Sequence, residues 1–128
     1  MKNKKVLIVE DQADIRILLR MTLDTGSFEI FEAESGAEGF RMAETIKPDI
    51  VLMDVMMPGE LDGFQACRKI KDHPRLYRTS VILITARGQQ EDHALGAIAG
   101  ADAYLVKPFS PLELLDTIQD LLGNTVMQ

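Results

Sequence analysis

The sequence predicts an α/β protein, a doubly wound sheet of five parallel strands with helices on both faces. Five short apolar runs alternate along the 128 residues with segments of helical period. Three of the runs are continuously apolar, which suits strands covered on both sides. The balance of 46% hydrophobic to 27% charged residues is that of an ordinary globular protein, and with no linker or low-complexity stretch residues 1–128 are expected to form one domain.

The first strand is placed at Val6–Val9, and Ile15, Leu18, Leu19 and Thr22 give the following helix its apolar stripe. Glu29–Ala33, which carries two glutamates, is expected to be an edge strand. The second helix starts at Ser35, which with Glu38 offers a capping box, and buries Ala37, Phe40, Ala43 and Ile46. The third strand is Ile50–Met53, followed by a helix with Phe64, Cys67 and Ile70 on one side. Val81–Ile84 is the fourth strand. The small-residue segment Leu95–Ala99 supplies the weakest helical period. After the fifth strand, Ala103–Val106, Ser110 is placed as N-cap and Pro111 at the first helical position, with Glu113 completing a capping box. Leu114, Leu115, Ile118, Leu121 and Leu122 form that helix's buried side, and Gly123 stops it. Right-handed crossovers then wind the sheet in both directions from the first strand.

Charge narrows the function. Fourteen Lys and Arg against twenty Asp and Glu leave a net charge of −6, so no direct nucleic-acid partner is expected, because holding phosphates needs a basic face. The single Cys67 cannot close an internal disulfide, which makes the cytoplasm the expected location. Val6–Val9 is too short for a signal-peptide core, and no run is long enough for membrane insertion.

In an open α/β sheet, ligands bind beyond the carboxyl ends of the strands, where the winding reverses. The residues there are polar: Glu10 and Asp11 after the first strand, Asp54 after the third, Thr85 after the fourth and Lys107 after the fifth. In the strand order 2-1-3-4-5 the first and third strands are neighbours, so three carboxylates share one cleft. At about 4 Å, two such charges repel by about 4 kcal/mol at an effective dielectric near 20. A cation is therefore expected. With only oxygen donors in reach, Mg²⁺ or a similar hard ion is favoured over zinc. Such an ion completes its shell with phosphate, Lys107 supplies a point charge for a phosphoryl oxygen, and the Thr85 hydroxyl can bond another. The sequence has neither a Gly-x-x-x-x-Gly-Lys-Ser/Thr loop nor a Gly-x-Gly-x-x-Gly turn to hold a nucleotide. The phosphoryl group is expected to end on the protein, with Asp54 as the acceptor carboxylate.

Glu10-Asp11, Asp54 through Gly59, Asp62-Gly63, Thr85-Ala86 and Gly100 through Phe109 resemble, in order and spacing, the blocks of the response-regulator receiver domain. This is the flavodoxin-like phospho-acceptor module of two-component signalling. The resemblance implies that Asp54 is phosphorylated by a sensor histidine kinase or a histidine phosphotransfer protein. It further implies that Asp11 binds Mg²⁺ directly, Glu10 acts through water and the Met56 backbone carbonyl is a third ligand. Thr85 and Tyr104 would be the coupled switch, Lys107 would pair with the phosphoryl group, and the Lys107–Pro108 peptide would be cis. Output would use the face of the fourth helix, fifth strand and fifth helix, toward an output protein or fused effector domain. Such a domain catalyses its own modification and slow dephosphorylation and is not a turnover enzyme. By the same resemblance, Met56 and Arg87 fall at positions that in this family tune phosphoryl lifetime, and the loop from Pro58 to Asp62 is one residue longer than the commonest family pattern.

Other readings are weaker. A phosphorylation-independent pseudo-receiver usually loses the acceptor, the metal carboxylates or the lysine, all kept here. A flavin-binding protein needs a hydroxyl- or glycine-rich phosphate loop where Glu10-Asp11-Gln12 stands, and a haloacid-dehalogenase-type phosphatase needs Asp-x-Asp where Asp54-Val-Met stands. Cys67 is assigned to the core. His73, His93 and the cations Arg68, Lys69, Lys71, Arg75 and Arg78 are assigned to solvated surface.

Overall fold

Alternation of side chains along a strand sends every second residue to the opposite face of a sheet, and two separate cores result here. The computed structural model describes residues 3–86 and 90–123. The strands are β1 (Lys4–Val9), β2 (Phe28–Ala33), β3 (Ile50–Asp54), β4 (Ser80–Thr85) and β5 (Ala103–Val106). The helices are α1 (Ala13–Leu23), α2 (Gly36–Ile46), α3 (Gly63–Asp72), α4 (Gln90–Ala99) and α5 (Pro111–Gly123). All strand pairs are parallel, in the order β2-β1-β3-β4-β5. The expected fold and strand order are therefore present, with β2 at one edge.

Leu7, Val9, Val51, Met53, Val81 and Leu83 pack on α2 and α3, through Ala43, Ala66, Cys67 and Ile70, with Ala99 at the end of α4. Val6, Ile8, Ile50, Leu52, Ile82 and Ile84 pack on α1 and α5, through Leu19, Leu23, Leu114 and Ile118. Cys67 lies in the first core as expected, with its Sγ 3.5 Å from the Ala99 carbonyl oxygen.

Two local expectations change. The buried stripe of α1 runs through Leu19 and Leu23, whereas Leu18 is 56% exposed. The position that turns inward in its place is Arg16. Ser35 does cap α2, accepting from the Glu38 N–H, but the Glu38 carboxylate accepts from the N–H of Glu34 and not of Ser35. The full reciprocal box forms at α3, where Asp62 accepts from Gln65 N–H and Gln65 accepts from Asp62 N–H. Ser110 accepts from Glu113 N–H at the start of α5.

Two groups assigned to solvent are half-buried. Lys71 donates to the Thr79 carbonyl and pairs with Asp102, tying α3 to the segments that lead into β4 and β5. His73 lies edge-on to Phe40, with its Nε2 3.3 Å from Glu44. Arg87 and the side chain of His93 lie outside the described residues.

Candidate metal and phosphoryl site

Four strand ends build the site. Beyond β1, Glu10 N–H still donates to the Ala33 carbonyl of β2, so Glu10 extends the ladder and is only 1% exposed. Asp54 is the last residue of β3, opposite Ile84 of β4, and the ladder continues with Val55 N–H donating to the Ile84 carbonyl. Thr85 ends β4 at 2% exposure. Lys107 follows β5, its N–H donating to the Thr85 carbonyl at 2.7 Å, and the Lys107–Pro108 peptide is cis. Gly63 closes the floor. A Cβ there would lie 2.3 Å from the Asp54 carbonyl oxygen, so glycine alone lets α3 begin directly against the end of β3.

Carboxylate oxygens of Glu10, Asp11 and Asp54 lie within 4.8 Å of one another. Lys107 Nζ stands between two of them, 3.7 Å from both Glu10 Oε1 and Asp54 Oδ1. Among the described residues, one lysine thus stands against two of the three clustered carboxylates. Glu10 Oε1 and Asp11 Oδ1 are buried without a hydrogen-bond partner among the described residues. Buried acceptors are normally satisfied, and leaving one bare costs on the order of 1–3 kcal/mol. A hard divalent cation would satisfy both oxygens, and the all-oxygen donor set matches its chemistry.

Burial pushes the Glu10 carboxyl up to about 7, with the Asp54 charge adding to the effect and the Gln12 N–H and Lys107 opposing it. Burial also raises Asp54, against the pull of Lys107 and a hydrogen bond from the Met56 backbone. Between the ordinary carboxyl value and the raised one, the folded chain binds more protons than the unfolded chain, so stability falls as pH rises. In EDTA, the urea midpoint is therefore expected to increase as pH is lowered from about 8 to about 5, with Glu10 as the main source. Excess Mg²⁺ should flatten this rise, because the cation competes with the proton for the same oxygens.

The remaining expected residues are also placed. The Met56 side chain is 75% exposed beside the acceptor. Tyr104, on β5 opposite Leu83, is half-buried with its ring against α4; a Cβ on Gly96 would lie 2.8 Å from its Cε1. In the longer loop after the acceptor, Gly59 takes the turn with φ of 107°. Arg16 joins the site from α1 without a mark in the apolar stripe. Its Nη1 donates to the Glu10 carbonyl at 2.8 Å. The detectable signal is a charged residue at the spacing of Leu19 and Leu23 on the buried side of α1.

Comparison with known proteins gives a consistent result. The family model described as "Response regulator receiver domain" matches residues 6–119. Over 123 residues, 96% of this chain, the sequence is 36% identical to the alkaline phosphatase synthesis transcriptional regulatory protein PhoP of Bacillus subtilis. Over the same length it is 40% identical to the transcriptional regulatory protein SrrA of Staphylococcus aureus. The chain spans about half of each, 50% and 49%. Among solved structures, the chemotaxis protein CheY4 of Vibrio cholerae superposes with a TM-score of 0.88 at 31% identity, covering 94% of this chain and 100% of that one. A putative response regulator from Chloroflexus aurantiacus gives 0.90 at 32% identity, covering 95% and 99%.

Proposed function

Since the chain belongs to the response regulator receiver domain family, the module of phosphorylation-based two-component signalling, we propose that Asp54 accepts a phosphoryl group from a phosphohistidine. The donor would be a sensor histidine kinase or a histidine phosphotransfer protein. The observation that carries this is the convergence with Asp54 and Lys107 of two buried oxygens, on Glu10 and Asp11, that have no hydrogen-bond partner among the described residues.

In the proposed step an Asp54 carboxylate oxygen attacks phosphorus, a P–O bond forms, and the P–N bond to the donor imidazole breaks with its electron pair leaving on nitrogen. Little covalent work falls to the protein, so positioning and charge dominate. Lys107 Nζ, 3.7 Å from Asp54 Oδ1, donates to an incoming phosphoryl oxygen. Thr85 closes the strand end beside it and bonds a second oxygen. Asp11 and Asp54 would hold Mg²⁺ directly, with the Met56 carbonyl as a further ligand and Glu10 acting through water. When bound, Mg²⁺ neutralises the carboxylates and the charge of the transferring group.

Thr85 and Tyr104 are the proposed switch, and the close approach of the Tyr104 ring to Gly96 supports coupling from β5 to α4. Output on the α4–β5–α5 face would pass to another protein or a fused effector domain. DNA contact, where the pathway has it, would belong to such an effector, because this chain carries a net charge of −6. The domain modifies itself and slowly reverses the modification without turning over substrate. A cytoplasmic location is part of the proposal. Among the described residues no helix is long and apolar enough to cross a membrane. A phosphorylation-independent role is not favoured, because acceptor, metal carboxylates and lysine are all retained at one site.

Intact-mass spectrometry after incubation with acetyl phosphate tests the proposal. The chain should gain one phosphoryl group with Mg²⁺ and none with EDTA; no gain with Mg²⁺ refutes it.

A further inference from the structure

We infer that Arg16 is a positioning residue for the metal site, clamping the Glu10–Asp11 peptide so that the Asp11 carboxylate enters the cleft. The inference rests on the proposed metal-dependent function. Arg16 lies in the first turns of α1, with its side chain only 15% exposed. Its guanidinium makes three polar contacts. Nη1 donates to the Glu10 carbonyl at 2.8 Å, Nε donates to Glu32 Oε1 at 3.2 Å, and Nη2 lies 3.9 Å from Glu34 Oε2. Glu32 is itself held in β2, next to Ile8 of β1, and its second oxygen accepts from Arg20.

The consequence concerns a single peptide group. Glu10 N–H is fixed by the Ala33 carbonyl and Glu10 C=O by Arg16, so the backbone is pinned on both sides just before Asp11. The Glu10 C=O belongs to the planar peptide unit that ends at the Asp11 Cα, so fixing it fixes the position of that Cα and leaves the Asp11 side chain only the rotation about its own N–Cα bond. That side chain carries the bare Oδ1. Arg16 brings a positive charge toward a cation site, which by itself would oppose binding. Glu32, shared with Arg20, and Glu34 offset that charge, leaving directional hydrogen bonding as the main effect. The planar fork of arginine can meet a carbonyl and a carboxylate together, which a lysine ammonium cannot do with the same geometry.

The charge signs make the test decisive. Arg16→Gln removes a positive charge and Glu32→Gln removes a negative one, so a through-space effect would tighten Mg²⁺ binding in the first and weaken it in the second. Positioning predicts weakening in both, by about tenfold or more as for other residues that orient metal ligands. Affinity is read from a Mg²⁺ titration of the backbone amide resonances of Glu10, Asp11 and Asp54, and fold from thermal unfolding in EDTA. Unchanged or tighter binding in either folded variant overturns the inference while leaving the proposed function intact. Absence of a saturable Mg²⁺ response in the unsubstituted chain overturns both. If Arg16→Gln does not fold, Arg16→Lys takes its place under the same criterion, since it keeps the charge and loses the fork.

Discussion

Asp54→Asn is expected to abolish phosphorylation by acetyl phosphate and, in EDTA near neutral pH, to make the protein more stable. The first effect follows from chemistry: the amide has almost the volume of the carboxylate but lacks the anionic oxygen that would attack phosphorus. The second follows from the cluster. Asp54 adds to the raised state of Glu10, and both carboxylates compete for one Lys107 ammonium 3.7 Å away. Removing one charge leaves Glu10 without a rival for Lys107 at that distance, and the gain in unfolding free energy should be on the order of 1–2 kcal/mol after relaxation. Intact mass reads the first effect and urea unfolding the second. A phosphoryl gain equal to that of the unsubstituted chain would remove Asp54 as acceptor. Equal or lower stability would show that the three carboxylates do not repel as their spacing implies.

Asp11→Ala is expected to erase stabilisation by Mg²⁺. A ligand that binds only the folded state stabilises it by about 2.7 kcal/mol at a concentration one hundred times its dissociation constant. For a domain of this size that corresponds to a rise of roughly 10 °C in Tm. Asp11 Oδ1 is one of the two bare buried oxygens, so its removal takes away a ligand and leaves the other carboxylates too few to hold the ion. The variant should melt at the same temperature with Mg²⁺ and with EDTA. A rise equal to that of the unsubstituted chain would exclude Asp11 from the metal site.

Much of the site is legible in the sequence because strand ends are punctuated sharply. Val9 gives way to Glu10-Asp11, Met53 to Asp54, Ile84 to Thr85 and Val106 to Lys107, and each change marks where an apolar strand ends at the polar cleft. The α1 stripe is misplaced for a related reason. Leu18 has the hydrophobicity of an inward residue, and Arg16 does not. Periodicity weighs side chains by their transfer from water, whereas Arg16 is drawn inward by a particular carbonyl on Glu10 and a particular carboxylate on Glu32. Lys71 and His73 illustrate the same limit, since Asp102 and Glu44 are distant in sequence and become partners only through packing.

The sequence by itself determined the strands and helices, the residues at the strand ends and the oxygen-only chemistry of the site. These depend on local propensity, side-chain period and residue type. Only the tertiary structure decided that oxygens of Glu10, Asp11 and Asp54 stand within 4.8 Å of one another, that Lys107 is equidistant from two of them, and that two oxygens lie buried with no hydrogen-bond partner among the described residues. Those distances are set by strand order, register and helix packing, which join residues up to a hundred positions apart through contacts that no local pattern encodes.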